Sequence, residues 1–258
     1  MHEFDEDTMV TAVDPGVYAG TMSDRWSIGP VPNGGYVLAV GMAALRQALP
    51  KPDPVSITAH YLRPSRPGPV SVHVETVKVG RRYATAMARM AQQGRETVRV
   101  LATYGTLGAG DGPSHIAGGP PPLPPRSALA PVRHDAGMTF GRRFELLSTT
   151  LDFEPGRATG PAEVSGWIRF ADGRRPDVHA LGLIADAFPP ACFHVVAPGW
   201  VPTLELTVHI RARPSSAWLR CVFRTRFLFA GLLEEDGEIW DEDGTLVALS
   251  RQLAAVPR

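Results

Sequence analysis

The chain has 258 residues, an apolar fraction of 44% and 26 basic against 26 acidic side chains, which admits one large domain or two small ones and leaves no basic surplus to favour nucleic acid or anionic lipid as the main partner. The acidic opening MHEFDEDTMV does not read as a signal peptide, and the longest apolar run, Tyr36 to Leu45, is far short of the roughly 20 residues a membrane span needs. Only two cysteines occur, Cys192 and Cys221, both in apolar surroundings, so reduced core thiols of a cytoplasmic protein are expected rather than a disulfide framework.

Residues 1–30 hold one or two strands, and the stretch Pro30 to Gly35 is a turn rich in breakers. Tyr36 to Leu49 (YVLAVGMAALRQAL) is apolar almost all round, the mark of a buried helix, and Pro50, Pro52 and Pro54 end it. A strand from Ser56 closes on Arg63-Pro64. Val70, Val72 and Val74 then alternate with Ser71, His73 and Glu75, the period of a half-buried strand. Tyr83 to Ala91 and Thr97 to Thr106 continue as strands around a turn at Gln93-Gly94. Gly80-Arg81-Arg82 reads either as a solvated hairpin turn or as a small basic turn for phosphate. From Gly108 to Pro125 (GAGDGPSHIAGGPPPLPP) no core or ladder is expected. Beyond it, Ser165 to Phe170 reads as a strand and His179 to Phe188 (HALGLIADAF) as a second buried helix stopped by Pro189-Pro190. Leu204, Leu206, Val208 and Ile210 alternate with polar residues, as do Leu219, Cys221 and Phe223, and Asp236-Gly237 and Asp243-Gly244 read as turn dipeptides.

The two series match. Ser56 to Gly105 and Thr203 to Ala254 each open on a histidine-bearing strand ending in Arg-Pro and each close on a last strand after a glycine turn. The offset, roughly 150 residues, is far beyond solenoid or propeller periods, so the pattern is a duplicated domain. Each half is one helix without a polar face followed by antiparallel strands, and such a helix must be wrapped by its sheet. The expected fold is α+β: a double hotdog, two antiparallel sheets each curled around a central helix. The expected division is 1–107, a linker at 108–130, and 131–258.

Several segments carry a family resemblance. Gly34-Gly35 before the first helix, His60-Tyr61-Leu62-Arg63-Pro64, Val74-Glu75-Thr76 and Ala91-Gln92-Gln93-Gly94 resemble the first half of TesB-like acyl-CoA thioesterases (thioesterase II). Ala185-Asp186, Val201-Pro202-Thr203-Leu204-Glu205 and Val247-Ala248-Leu249-Ser250-Arg251-Gln252 resemble the second half. The resemblance implies hydrolysis of a fatty acyl-CoA to free acid and coenzyme A, without a cofactor. In that family an Asp of the second helix, a Thr opening the next strand and a Gln of the last strand orient the attacking water. The matching residues are Asp186, Thr203 and Gln252. The resemblance also implies a homo-oligomer formed through sheet pairing.

Read as residues, Asp186 interrupts an apolar helix, and an ionised carboxylate buried without partners is costly. It therefore sits on the helix's one exposed position, bonds to the following loop, or has a chemical task. Thr203 by itself is an ordinary strand-start threonine and Gln252 an ordinary strand residue. Together the three offer an acceptor and two groups able to fix a water, which suits thioester hydrolysis because a thiol, with a reference pKa of about 8.5, departs without a strong general acid. Asn33, Gly34 and Gly35 are candidate substrate-binding residues, either as backbone donors at a helix N-terminus or as a plain tight turn. His60, matched by His209 in the second half, is a further candidate, though a strand histidine is the commoner finding. No metal-ligand spacing and no Gly-x-Ser-x-Gly elbow occur. The competing reading is a hotdog protein that binds acyl-CoA or an acyl carrier without turnover. A hydratase or dehydratase ranks lowest, since neither helix carries an Asp-x-x-x-x-His pattern.

Overall fold

A computed structural model describes residues 1–108, 112–133, 138–151, 153 and 160–256. In chain order it has α1 (Glu3–Asp7), β1 (Val10–Asp14), β2 (Val17–Met22), β3 (Ser27–Ile28), β4 (Val31–Pro32), α2 (Gly34–Ala48), β5 (Asp53–Tyr61), β6 (Gly68–Val79), β7 (Ala84–Gln92) and β8 (Arg95–Gly105). The second half has β9 (Phe144–Leu147), β10 (Glu163–Phe170), α3 (Ala180–Ile184), β11 (Thr203–Ile210), β12 (Leu219–Arg224), β13 (Leu228–Phe229), β14 (Leu232–Asp241) and β15 (Leu246–Ala255).

Most of the strands form one continuous antiparallel sheet in the order β1-β2-β6-β7-β8-β5-β11-β15-β14-β12-β10-β9, with β13 paired to β14 off this path and β3-β4 a separate two-stranded sheet. The order is a palindrome of equivalent strands, so the duplication is a pseudo-twofold. Its axis passes between β5 and β11, where Thr58 pairs with Thr207 and their hydroxyl oxygens lie 2.9 Å apart. Edge-to-edge sheet pairing is thus made inside one chain. Asp53, almost fully buried in the first half, binds Arg213 of the second through two guanidinium contacts of 3.0 and 2.6 Å, a bidentate geometry that fixes orientation as well as charge.

α2 forms where the sequence places an apolar run after a capping residue. The Asn33 side chain accepts from the N–H of Tyr36, satisfying one of the donors that every helix start leaves open. Tyr36, Leu38, Val40, Met42 and Leu45 are all fully buried. Only its last turn, at Arg46 and Gln47, reaches solvent, and α2 stays put because the sheet curls around it.

α3 differs from the sequence expectation. The reading of His179 to Phe188 as one helix gives way to a five-residue helix, Ala180–Ile184, followed by a turn and a short 3-10 segment, Ala191–His194. Pro189 and Pro190 bar continuation, and the ladder tightens before them, the N–H groups of Asp186 and Ala187 reaching back only to Leu183 and Ile184. The dipeptide Asp236-Gly237 is also corrected: it lies inside β14, paired with Arg251 and Ser250. A Cβ at Gly237 would run into Ser250 Oγ and stand 2.6 Å from the Phe223 ring, so the glycine serves close packing, and the chain reverses instead at Ala230-Gly231, both at positive φ.

Of the Gly/Pro-rich stretch, residues 109–111 lie outside the described residues. No strand forms in its described part, most of which is exposed, but its end and the residue that follows it are held down. The Trp167 indole donates to the Pro124 carbonyl at 3.1 Å, and the Arg126 guanidinium lies over the Trp167 and Trp218 rings at 5.1 and 5.2 Å. The two cysteines are free and buried. Among the described residues no helix is long and apolar enough to cross a membrane.

Candidate active site

The site lies where the start of α2 meets the end of α3. Asp186 Oδ2 accepts from the Gly35 N–H at 2.8 Å and from Asn33 Nδ2 at 2.9 Å, and Asn33 Nδ2 also reaches the Asp186 carbonyl at 2.9 Å. This approach needs glycine at position 35. A Cβ there would lie 2.8 Å from the Leu183 carbonyl oxygen and 2.9 Å from Asp186 Cβ, contacts that neither backbone nor helix can relieve cheaply. Burial raises the Asp186 carboxyl to about 6 despite the bonds from Gly35, Asn33 and Gln252 that favour its anion.

The other oxygen, Oδ1, is less committed. Its contact is the Gln252 amide at 3.4 Å, and the same amide donates to the Thr203 hydroxyl. The structure therefore brings Asp186, Thr203 and Gln252 together, and all three line one pocket of about 320 Å³. Oδ2 is held by two donors, so Oδ1 is the oxygen able to take a proton from a bound water. Thr203, whose oxygen already accepts, keeps its hydroxyl hydrogen for a neighbour in the pocket.

The pseudo-twofold shows what is special about this end. Gln252 pairs with Leu206 on one side and Glu235 on the other. The equivalent positions of the first half, reached from Ile57, are Ala102 and Ala86, both buried in an apolar core. Glu235 is absent from the sequence-derived set. It is 6% exposed, lines the pocket, and has its carboxyl raised to about 7, chiefly by burial and further by the Asp186 charge. Strand parity contained the signal: Leu233 and Ile239 face inward, and Glu235 lies between them with the same parity. Reading Asp236-Gly237 as a turn concealed it.

The remaining candidates separate. Asn33 is buried and serves α2 and Asp186 together, through its oxygen and its nitrogen respectively. The Gly35 N–H is occupied by Asp186, whereas the N–H of Gly34 has no partner among the described residues, and Gly34 lines the pocket. His60 is not brought to the site. It lies on the outer, exposed face of β5. The inward neighbour is Tyr61, whose hydroxyl donates to the Gly34 carbonyl at 2.8 Å. Burial beside Asp186 and Glu205 holds that phenol well above its ordinary pKa. Phe188, Phe193 and Trp200 line the pocket, while Met42 is fully buried in the core. Phe140, Phe144 and Phe223 extend the apolar wall, giving an apolar slot with a few polar groups at one place, the usual form of a small-molecule site.

A duplicated sheet-and-helix scaffold with an apolar slot at the junction of its halves defines a double-hotdog protein. Residues 22–105 match the acyl-CoA thioesterase N-terminal domain and residues 120–256 the acyl-CoA thioesterase C-terminal domain. The chain belongs to this acyl-CoA thioesterase family. Among relatives, an uncharacterized protein of Mycobacterium tuberculosis is 30% identical, over 95% of this chain and 94% of its own. A solved structure of a candidate thioesterase II from Thermobifida fusca is 30% identical, with a TM-score of 0.90 over 100% of this chain and 98% of that one. The acyl-CoA thioesterase II TesB2 of Mycobacterium marinum shares the fold, with a TM-score of 0.78 at 20% identity over 98% of each chain.

Proposed function

We propose that the chain hydrolyses acyl-CoA thioesters, with a water held by Asp186, Thr203 and Gln252 as the nucleophile. The observation that carries this reading is the asymmetry of the Asp186 carboxylate: one oxygen is fixed by Gly35 and Asn33, and the other is turned to Gln252 and the pocket. A carboxyl raised to about 6 is ionised at neutral pH yet more basic than a free aspartate.

The water oxygen attacks the carbonyl carbon as Asp186 Oδ1 takes a proton. The negative charge on the carbonyl oxygen is met by the free Gly34 N–H at the positive end of α2. Collapse of the tetrahedral adduct breaks the C–S bond. The thiolate, whose conjugate acid has a pKa of about 8.5 by analogy with cysteine, takes the proton from Asp186, giving free acid, free thiol and a regenerated carboxylate. The apolar wall of Phe188, Phe193 and Phe223 receives the acyl chain.

The test is thiol release from a panel of acyl-CoA chain lengths, followed by thiol trapping. The expected result is turnover by the wild type, lowered on the order of 100-fold or more in Asp186→Asn. Acyl-CoA binding without thiol release at any length would make this a binding protein instead.

A further inference from the structure

Glu235 is a buried acid for which the hydrolytic steps have no use. Its Oε2 accepts from the Ala191 N–H at 2.6 Å and from the Thr225 hydroxyl at 3.4 Å, while Oε1 has no hydrogen-bond partner among the described residues. The residue lines the acyl pocket alongside Phe188 and Phe223. Oε1 is not sealed off but open to the pocket, where a plain hydrocarbon chain would displace its water and offer no hydrogen bond in return. The equivalent position in the first half is Ala86, so the sheet itself accepts a small apolar residue here. Anchoring Ala191 accounts for one oxygen only.

We propose that Glu235 is a specificity-determining residue that holds an oxygen carried by the acyl chain, making oxygen-bearing acyl thioesters, with a hydroxyl or carbonyl near the thioester, the preferred substrate class. The inference rests on the thioesterase reading above and deepens it. The oxygen's position follows from register. Glu235 stands directly opposite Gln252, about 5 Å away along the sheet, and Gln252 aims the water at the reacting carbonyl. A group on the second or third carbon of the acyl chain, counting the carbonyl as the first, is therefore the one within reach. Burial raises the carboxyl to about 7, so a sizeable share is protonated near neutrality; the protonated form both donates and accepts and the ionised form accepts, so the group serves a hydroxyl or a carbonyl. Sites built to hydrogen-bond a substrate oxygen discriminate strongly against analogues that lack it.

The experiment compares kcat/KM for an unsubstituted acyl-CoA with its 2-hydroxy and 3-hydroxy analogues, at the chain length the wild type hydrolyses best, in the wild type, Glu235→Gln and Glu235→Leu. The wild type is expected to favour one hydroxy analogue by about tenfold or more. Glu235→Gln, which keeps a donor and an acceptor, should retain most of that preference. Glu235→Leu should lose it, with kcat/KM falling about tenfold further on the hydroxy substrate than on the unsubstituted one. Equal or lower activity on both hydroxy analogues in the wild type overturns the proposal even if the leucine variant does not fold. So does a preference that survives in folded Glu235→Leu. Absence of thiol release from every acyl-CoA overturns the thioesterase reading itself, whereas turnover indifferent to the hydroxyl overturns only the role of Glu235.

Discussion

The two halves of the molecule share one architecture and use it differently. The first wraps its sheet around a fifteen-residue helix and fills the interior, with Ala86 and Ala102 in the sheet against α2. The second keeps only five residues of helix, opens a slot where the rest of it would lie, and places Gln252 and Glu235 at the positions of the two alanines. A duplicated scaffold lets one copy supply packing while the other gives up packing for chemistry. The division is not complete, since Asn33, Gly34 and Gly35 belong to the well-packed half yet hold Asp186 of the other. The site exists because the halves meet.

The largest expected effect on that contrast is chemical. Asp186→Asn removes the base and should lower kcat/KM on the order of 100-fold to 1,000-fold while the protein remains folded. Its stability should change with pH in a defined direction. The Asp186 carboxyl is raised in the folded state to about 6, from 3.8, so its contribution to stability is fully present below about pH 4 and is lost as pH rises through about 6. Asparagine has no such loss. The thermal midpoint of the variant relative to the wild type should therefore climb by about 2–6 °C between pH 4.5 and pH 7.5, measured by calorimetry in matched buffers.

Next in size is the junction between the halves. Gly35→Ala drives a Cβ against the Leu183 carbonyl and Asp186, and it should cost about 1–3 kcal/mol of stability by overpacking together with most of the activity. Denaturant titration and thiol release check the two losses. Gln252→Ala, which makes the second half resemble the first at one position, should reduce kcat about 10-fold to 100-fold with little change in stability, the sign of a group that orients a reactant.

The smallest expected effects lie on the outer faces. His60→Ala, at the exposed side of β5, should leave kcat/KM within about twofold, as surface changes usually do. Arg126 clamps the connecting segment over Trp167 and Trp218, while the outer face of the first half stays open, with Leu101 and Tyr83 about half exposed. Arg126→Ala should cost about 0.5–2 kcal/mol in thermal or chemical unfolding, with activity retained.

Much of this was legible in the sequence for physical reasons. Period-two alternation marks half-buried strands, a helix with no polar face marks a wrapped one, and the repeated order of both marks the duplication. Three features were not legible. Periodicity says that Ala180 to Phe188 is buried but not where its hydrogen-bond ladder stops, because apolar spacing does not encode the tightened last turn at Asp186 and Ala187. His60 drew notice as a chemically active residue type, yet the alternation that buries Ile57 and Ala59 points its neighbour Tyr61 inward instead. Glu235 sits in the acidic run Glu234-Glu235-Asp236 before a glycine, a composition typical of exposed turns. Only its parity with Leu233 and Ile239 reveals it as an interior residue.

The pH dependence of kcat/KM for thiol release, in the wild type and Asp186→Asn, tests the central claim most directly. If Asp186 is the base, wild-type activity rises about tenfold per pH unit below about 6, levels off above it, and the residual activity of the variant lacks that limb. An acid limb of the same position and slope in both proteins, or undiminished turnover by the variant, would contradict the account.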